Sequence, residues 1–506
     1  MKRTRTSRAE IGFKPCNNEQ FMMPSDLRDW LPKNHPACIL DEIVDCLDLS
    51  EIRKAYSPIG QRAYSPNMMV KVWLYGYMTR ARSCRELARK IETDVAFMYL
   101  AGMQRPGFRS LDRFRVAHQE ALKRLFAEVV HLCAAAGMVS LAQVSGDGTK
   151  LKANASAKRS RTPEQIQAEI DKAQAQFDEI SEKIRQQDES DARQYGKDHR
   201  GDELLEELAD RDKRLEFFKK KKQEIESGAL KKINITDSDA TFQKIGQVIK
   251  PGYNAQVIVE DSNQIILSQD VVQNAHDSAQ LKPGLEQLKE NLGAYPDRAN
   301  YDGAYHSGHN LQLAETLGVD LYTPDPETRK QNLLPELKRP FHRNEFTYDP
   351  IENLYVCPKG KVLSRYKTDW VDNNDHSKGR ITAYRGKSCE LCEAFHICRH
   401  SPDAKARMVY RDDFESLREK HRAKMNKPES QKIYESRRST VEPVFGNLKH
   451  NLGYRHFLLR GLSKVRTEFT FMAIAHNLQK LAAKAVSKGV PWLQSVLASF
   501  RPLQTV

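Results

Sequence analysis

SLAQVSGDGTK (Ser140–Lys150) decides how this chain is divided. It reads as a strand running into a turn at Gly146–Gly148. Asp147 stands at the strand's end, between two glycines that leave its side chain uncrowded. Strand character returns only from Gly246, with YNAQVIVED (Tyr253–Asp261) and QIILSQDVV (Gln264–Val272). These are β-branched runs separated by Asp261–Asn263, a hairpin signature. A helix is expected around 277–291, then a short strand ending at RANYDG (Arg298–Gly303), a helix near 307–317 and the strand-like VDLYTP (Val319–Pro324). Strands followed by alternating strand and helix indicate an α/β core. The sheet therefore begins near 140, is interrupted, and resumes near 246.

The interruption has a pattern of its own. Ile166, Ile170, Ala173, Phe177, Ile180 and Ile184 recur at spacings of four and three. Leu204, Leu208, Arg211, Leu215, Phe218, Lys222 and Ile225 follow the same heptad grid, with two polar exceptions. Two amphipathic helices joined by the polar QQDESDARQYGKDHRGD make an antiparallel hairpin. Its charged surface suits a structural or interaction arm better than chemistry.

Ahead of the first strand, residues from about 40 to 137 read as helical. In SCRELARKI, Ser83 precedes Glu86 by three, a capping box. Ser110 is expected to cap one long helix through LDRFRVAHQEALKRLFAEVVHLCAAAG, ending at Gly137. Short helices with Arg109, Arg113 and Arg115 opening the last one suit a helix-turn-helix-like DNA reader. A plain helical bundle with a solvated basic face is the alternative.

The whole chain of 506 residues carries a net charge of +14 with a pI near 9.2. That balance favours a polyanionic partner, nucleic acid first. No run approaches eighteen apolar residues, so no membrane span is expected. The basic opening MKRTRTSRAEIGFKP lacks the apolar stretch of a secretory signal, which predicts a cytoplasmic protein.

Three acids have a shared setting. Asp147 and Asp302 each end an expected strand beside a glycine, and Glu442 lies in RRSTVEPVFGNLKHN (Arg437–Asn451), among Arg437, Arg438 and Lys449. Taken singly, each reads as a turn former or a salt-bridge partner. Clustered carboxylates repel unless cations neutralise them. Three such groups suit two Mg²⁺ ions, with Mn²⁺ as a substitute, and a metal pair serves phosphodiester displacement. Thr440 is expected to cap a helix with Pro443 in its first turn. Lys449, seven residues past Glu442, then shares its face and can hold a phosphate.

VSGDGTKLKANAS (Val144–Ser156), YNAQVIVED, ANYDGAY (Ala299–Tyr305) and YESRRSTVEPVFGNLKHNLGYRHFLLRG (Tyr434–Gly461) resemble, in order, the signatures of bacterial insertion-sequence transposases of the DDE superfamily. SPNMMVKVWLYGYMTRARSCRELARKI (Ser65–Ile91) with SLDRFR (Ser110–Arg115) is similar to the N-terminal domain that precedes them. The resemblance implies an α/β ribonuclease-H-like catalytic core bearing Asp147, Asp302 and Glu442 as catalytic triad and Mg²⁺ ligands. Tyr434, Arg438 and Lys449 correspond to the Tyr–Arg–Glu–Lys signature around the last acid; Tyr434 stands three residues before Arg437, whereas Arg438 has the usual spacing to Glu442. Tyr434, Arg437, Arg438, Lys449, Arg455 and Arg460 are the implied DNA contacts. Double-stranded DNA, both transposon ends and target, is the implied partner, bound as a homodimer by a nucleoid-associated bacterial protein. The resulting division is a helical DNA-binding domain (1–137), a catalytic core (138–160, 231–345 and 411–486), the inserted helical hairpin (161–230) and a cysteine-rich insertion (346–410).

That last segment reads as loop-rich. Cys357 opens CPKG, and CELCEAFHIC supplies Cys389, Cys392 and Cys398. The Cys-x2-Cys pair is strong ligand spacing, and four thiolates would form a closed, structural Zn²⁺ site of zinc-ribbon type. His396 and His400 are possible substitutes, and reduced cysteines in a small apolar pocket are the alternative. Cys16, Cys38, Cys46, Cys84 and Cys133 read as ordinary small apolar residues. An active transposase is the leading reading. Its rivals are a catalytically silent DNA-binding derivative and a Mg²⁺-dependent nuclease.

Overall fold

The computed structural model describes residues 26–56, 63–195, 203–227, 232–326, 341–372, 378–399, 401 and 403–502. The basic opening segment, Cys16 and His400 lie outside them, as do the side chains of Ile184, Leu204 and Leu208. Helices α1 (Pro36–Cys46), α2 (Ser50–Lys54), α3 (Pro66–Met78), α4 (Cys84–Thr93), α5 (Val95–Leu100), α6 (Phe108–Ala117) and α7 (Gln119–Ala135) come first. Ser83 caps α4, its side chain accepting from the Glu86 amide at 3.1 Å. The expected long helix from Ser110 is instead two. Gly107 is the N-cap of α6, Ser110 lies inside it, and His118 divides it from α7. Gly137 does follow the helix end, at φ +64°.

The α3 helix is buried on nearly every side, and its Trp73 and Tyr77 are fully enclosed. Trp73 donates to the Leu111 carbonyl at 3.2 Å, and the Arg115 guanidinium lies 4.7 Å over its ring. Arg115 is thus buried and paired with Asp112 at 2.8 Å, which removes it from any DNA-facing surface.

Strand β1 (Val144–Lys152) does not turn at its glycines but runs straight through them, so Asp147 is mid-strand. The physical reason is close packing. A Cβ on Gly146 would meet the Tyr301 ring at 2.1 Å, and one on Gly148 would meet Gln256 Nε2 at 2.3 Å. Past β1, the short β2 (Ser160–Arg161) pairs with β3 (Ile233–Asn234) at the root of the arm. The arm is α8 (Pro163–Tyr195) and α9 (Glu203–Ser227). Lys222 reaches Gln167 at 2.6 Å and Arg211 reaches Gln176 at 3.1 Å, so the helices run antiparallel. The two polar grid positions make these cross-helix bonds. Ile166, Ile170, Ala173, Leu215, Phe218 and Ile225 form a separate small core.

On one side of β1 lies β5 (Val248–Glu260), antiparallel in register from Val144↔Glu260 to Lys152↔Gly252. Both β4 (Thr241–Ile245) and β6 (Ile266–Val272) pair antiparallel with β5. On β1's other side lie β7 (Arg298–Asn300) and then β8 (Asp320–Tyr322), both parallel. Helix α10 (Leu281–Leu292) leads from β6 into β7, and α11 (Gly308–Leu317) connects β7 to β8. The helix Leu462–Lys488 then packs its buried face on β6, α3 and α7. Phe471 stacks on Tyr77 at 5.1 Å, so the N-terminal helices and the six-stranded sheet share one continuous core.

The segment expected to be loop-rich contains a five-stranded antiparallel sheet, in the order β13-β12-β11-β10-β9. Its strands are β9 (Thr347–Asp349), β10 (Leu354–Val356), β11 (Val362–Asp372), β12 (Lys378–Gly386) and β13 (Met408–Asp412). It also has a core of its own, built on Phe346, Tyr355, Leu363, Tyr384 and Val409. The apolar signal was weak because only one face of this sheet is covered. Among the described residues no helix is long and apolar enough to cross a membrane.

Candidate active site

Register brings two of the acids together. Strand β7 pairs with β1 at Val144↔Ala299 and Ser145↔Asn300. Asp147 stands two residues beyond Ser145 on one face of β1, and Asp302 two residues beyond the end of β7, near enough for its charge to act on Asp147. Asp302 leaves its strand as the N-cap of a 3-10 turn, accepting from the Ala304 amide at 2.9 Å.

That face is roofed by the helix Pro428–Gly446. Gln143 bonds Ser436 at 2.7 Å and Asn300 bonds the Ile433 carbonyl at 3.2 Å, strapping the helix to the sheet. Glu442 is exposed, late in this long helix. The expected short helix capped by Thr440 does not occur. Thr440 is a buried interior residue that donates to the Ser436 carbonyl at 3.0 Å. Pro443 sits inside the helix and supplies no amide to the Ser439 carbonyl. Gln264 Nε2 donates to that carbonyl instead, at 2.9 Å, which explains how the helix tolerates the proline. After Gly446 the backbone widens into a π-helical segment, Asn447–Asn451, which carries Lys449.

A cleft of about 650 Å³ opens beside these groups, lined by Asp302, Asp325, His421, Arg422, Tyr434, Arg437, Arg438 and Glu442. Asp147 lies deeper, 2.6 Å from the Arg437 guanidinium. Burial pushes the Asp147 carboxyl up to about 6; Arg437 opposes that rise and the neighbouring Asp302 adds to it. Lys449 donates to Thr149, two residues beyond Asp147 on the same strand face. Burial lowers the Lys449 ammonium pKa and Asp147 partly restores it, so the amine lies within electrostatic reach of that acid. His421 is buried against the Thr323 carbonyl at 2.8 Å, and burial lowers it to about 4, leaving a neutral imidazole on the wall.

The remaining expected DNA contacts divide by exposure. Arg438, Arg455 and Arg460 are exposed, and Tyr434 is half-buried in the cleft. Arg437 is 8 % exposed, on the wall of the cleft with its guanidinium engaged by Asp147. Arg460 donates to the Asn154 carbonyl at 3.0 Å and borders a second groove with Lys152, Lys250 and His456. Sequence reading missed the Arg437–Asp147 pair, the Lys449–Thr149 contact and the part played by Asp325, His421 and Arg422. Only Thr149 carried a signal, being two residues from Asp147 in a strand.

The four cysteines also converge. Cys357, Cys389, Cys392 and Cys398 line one small cavity of about 30 Å³, and the Lys361 amide donates to Cys357 Sγ at 3.3 Å. Burial raises the Cys398 thiol, Arg407 opposes this, and the other three cysteines add to it. Among the described residues, no three His, Cys, Asp or Glu side chains are drawn tightly enough together to cage a metal ion, at either location.

No curated protein matches the chain. Two family models do. A transposase domain model (DUF772) matches residues 25–117, spanning the helices through α6. A transposase DDE domain model matches residues 356–482, which include strands β11 to β13, the four clustered cysteines, Glu442 and Lys449, but neither Asp147 nor Asp302. The DDE family generally acts on DNA with a divalent metal such as Mg²⁺. In this order along one chain, the two matches indicate an insertion-sequence transposase of the DDE type.

Proposed function

We propose that this chain binds the inverted-repeat ends of an insertion sequence, cleaves them by phosphodiester hydrolysis, and joins the freed 3′-hydroxyls to target DNA. The observation that carries this reading is the β1–β7 register, which sets Asp147 beside Asp302 under the helix that bears Glu442. We assign the six-stranded sheet to a ribonuclease-H-like core. In support, an antiparallel set flanks the central acid-bearing strand on one side and parallel strands on the other.

Asp147, Asp302 and Glu442 would hold two Mg²⁺ ions. The donor set fits hard cations, and Asp147 already takes a positive group, Arg437, as a carboxylate at that depth requires. Bound divalent ions would activate the attacking oxygen and neutralise the leaving one. Lys449 and Arg438 would grip the flanking phosphates, while Tyr434 and the cleft wall orient the strand. Arg455 and Arg460 extend the cationic surface, and a homodimer would pair the two ends. Cys357, Cys389, Cys392 and Cys398 would hold a structural Zn²⁺, supported by their shared cavity.

The test is a plasmid integration assay with purified protein, Mg²⁺ and DNA carrying the element's own ends. Alanine at Asp147, Asp302 or Glu442 is expected to abolish cleavage and joining while DNA binding persists. Cleavage without joining would point to a nuclease, and binding alone to a silent derivative. Any acid whose alanine variant still cleaves leaves the site.

A further inference from the structure

The five-stranded sheet covers its core with one face only. Tyr384 and Leu363 point inward, and alternation along β12 turns Arg385 to the opposite face. Between Arg365 and Lys367 the β11–β12 register shifts, so Tyr366 is an extra residue in the strand. It stands 55 % exposed with the Arg385 guanidinium 5.3 Å from its ring centre. On the neighbouring strand Tyr410, opposite Ala383, is 45 % exposed.

A groove of about 440 Å³ runs along this surface, with Arg365, Tyr366, Arg385, Lys387 and Lys405 on its walls and Glu390 as its acid. Lys367 is neutralised by Asp369 at 2.6 Å and Arg380 by Asp413 at 3.2 Å. Arg365, Arg385, Lys387 and Lys405, in contrast, have no acidic partner among the described residues. Arg385, Lys387 and Lys405, three cations without an acidic partner among the described residues, thus share the groove with one exposed aromatic ring.

An apolar protein partner would not be served by this charge, and a duplex hides its base faces inside the stack. Phosphates need the cations, and an unpaired base needs the ring. We infer that this face binds unpaired nucleotides of a DNA strand, with Tyr366 as a stacking platform and Arg385, Lys387 and Lys405 on the phosphates. The inference rests on the proposed DNA-processing function and adds a second contact surface, distinct from the carboxylate cleft.

Fluorescence anisotropy of the full chain with a labelled oligothymidylate, and separately with duplex end DNA, tests it. Tyr366→Ala is expected to weaken oligothymidylate binding about tenfold, the worth of one stacked base. Tyr366→Phe should keep most of the affinity. Lys387→Glu with Lys405→Glu should weaken binding and flatten its salt dependence by roughly 1–2 units of log–log slope. Duplex binding should survive all three, and thermal melts should match the parent, since the altered side chains are exposed. Parent-like oligothymidylate binding by Tyr366→Ala, or equal losses on both DNAs, overturns the inference. Failure of the parent on duplex ends alone would instead overturn the proposed function.

Discussion

At the residue scale the decisive contact is Arg437 on Asp147. Asp147 is mostly buried and its ionised form is disfavoured there, so it needs a nearby cation. Arg437 supplies one at 2.6 Å. Removing a partner from such a pair leaves a stranded charge, at a cost of ~2–4 kcal/mol for a pair this deep. Arg437→Ala should therefore melt lower without divalent ions and gain more from added Mg²⁺ than the parent does. Thermal melts with and without Mg²⁺ check this, and equal gains would contradict it. None of this was legible in the sequence, where 290 positions separate the partners. The acids were singled out in the sequence as candidates, from the glycines beside Asp147 and Asp302 and the basic stretch around Glu442. What glycine does at Gly146 and Gly148 was misread as turning. It makes room for the Tyr301 ring and the Gln256 amide, and no local pattern reports a neighbour's bulk.

Among the elements, the join between the five-stranded sheet and the helix Glu415–Met425 stands out. Glu415, 3 % exposed, accepts from Arg343, from Arg418 at 2.7 Å and from Arg422 at 2.8 Å. Burial alone would raise its pKa, but the arginines outweigh burial and hold it at about 2, below the usual 4.5. A depressed carboxyl stabilises the fold above its unfolded pKa and loses that stabilisation as pH falls through the folded one. Glu415→Gln should cost ~3 kcal/mol near neutrality, and its deficit against the parent should shrink between pH 4.5 and 2. Denaturant melts across that range measure it, and a pH-independent deficit would refute the clamp. For the cysteine edge of the same sheet, purified chain should carry about one zinc, and Cys392→Ser should lose it and melt lower. A metal-free parent of equal stability would remove zinc from the account. The β5–β6 hairpin was readable from its β-branched runs around Asp261–Asn263. Strands β11 and β12 were not, because Tyr366, Lys367, Asp369 and Trp370 on one stretch leave no apolar period to read.

For the whole molecule, the shared core outweighs any boundary drawn near residue 137. Trp73 is 0 % exposed, 5.8 Å from Phe471 of the helix Leu462–Lys488. Arg82 reaches across to the His456 carbonyl at 2.7 Å and to Glu468. Trp73→Ala should cost ~3–5 kcal/mol and lower the stability of both regions together. Hydrogen exchange read separately on α3 and on β1 checks this; protection lost in α3 alone would mean two independent units. The helical opening and the sheet were each visible in the sequence as patterns. Their union was not, because Trp73 and Phe471 look like ordinary core residues of whatever unit they fall in. An exchange of the N-terminal helices for those of another protein would strip Phe471 and Tyr454 of their aromatic neighbours. Those helices thus cannot be exchanged as a cassette, and the surface they present has to be altered residue by residue.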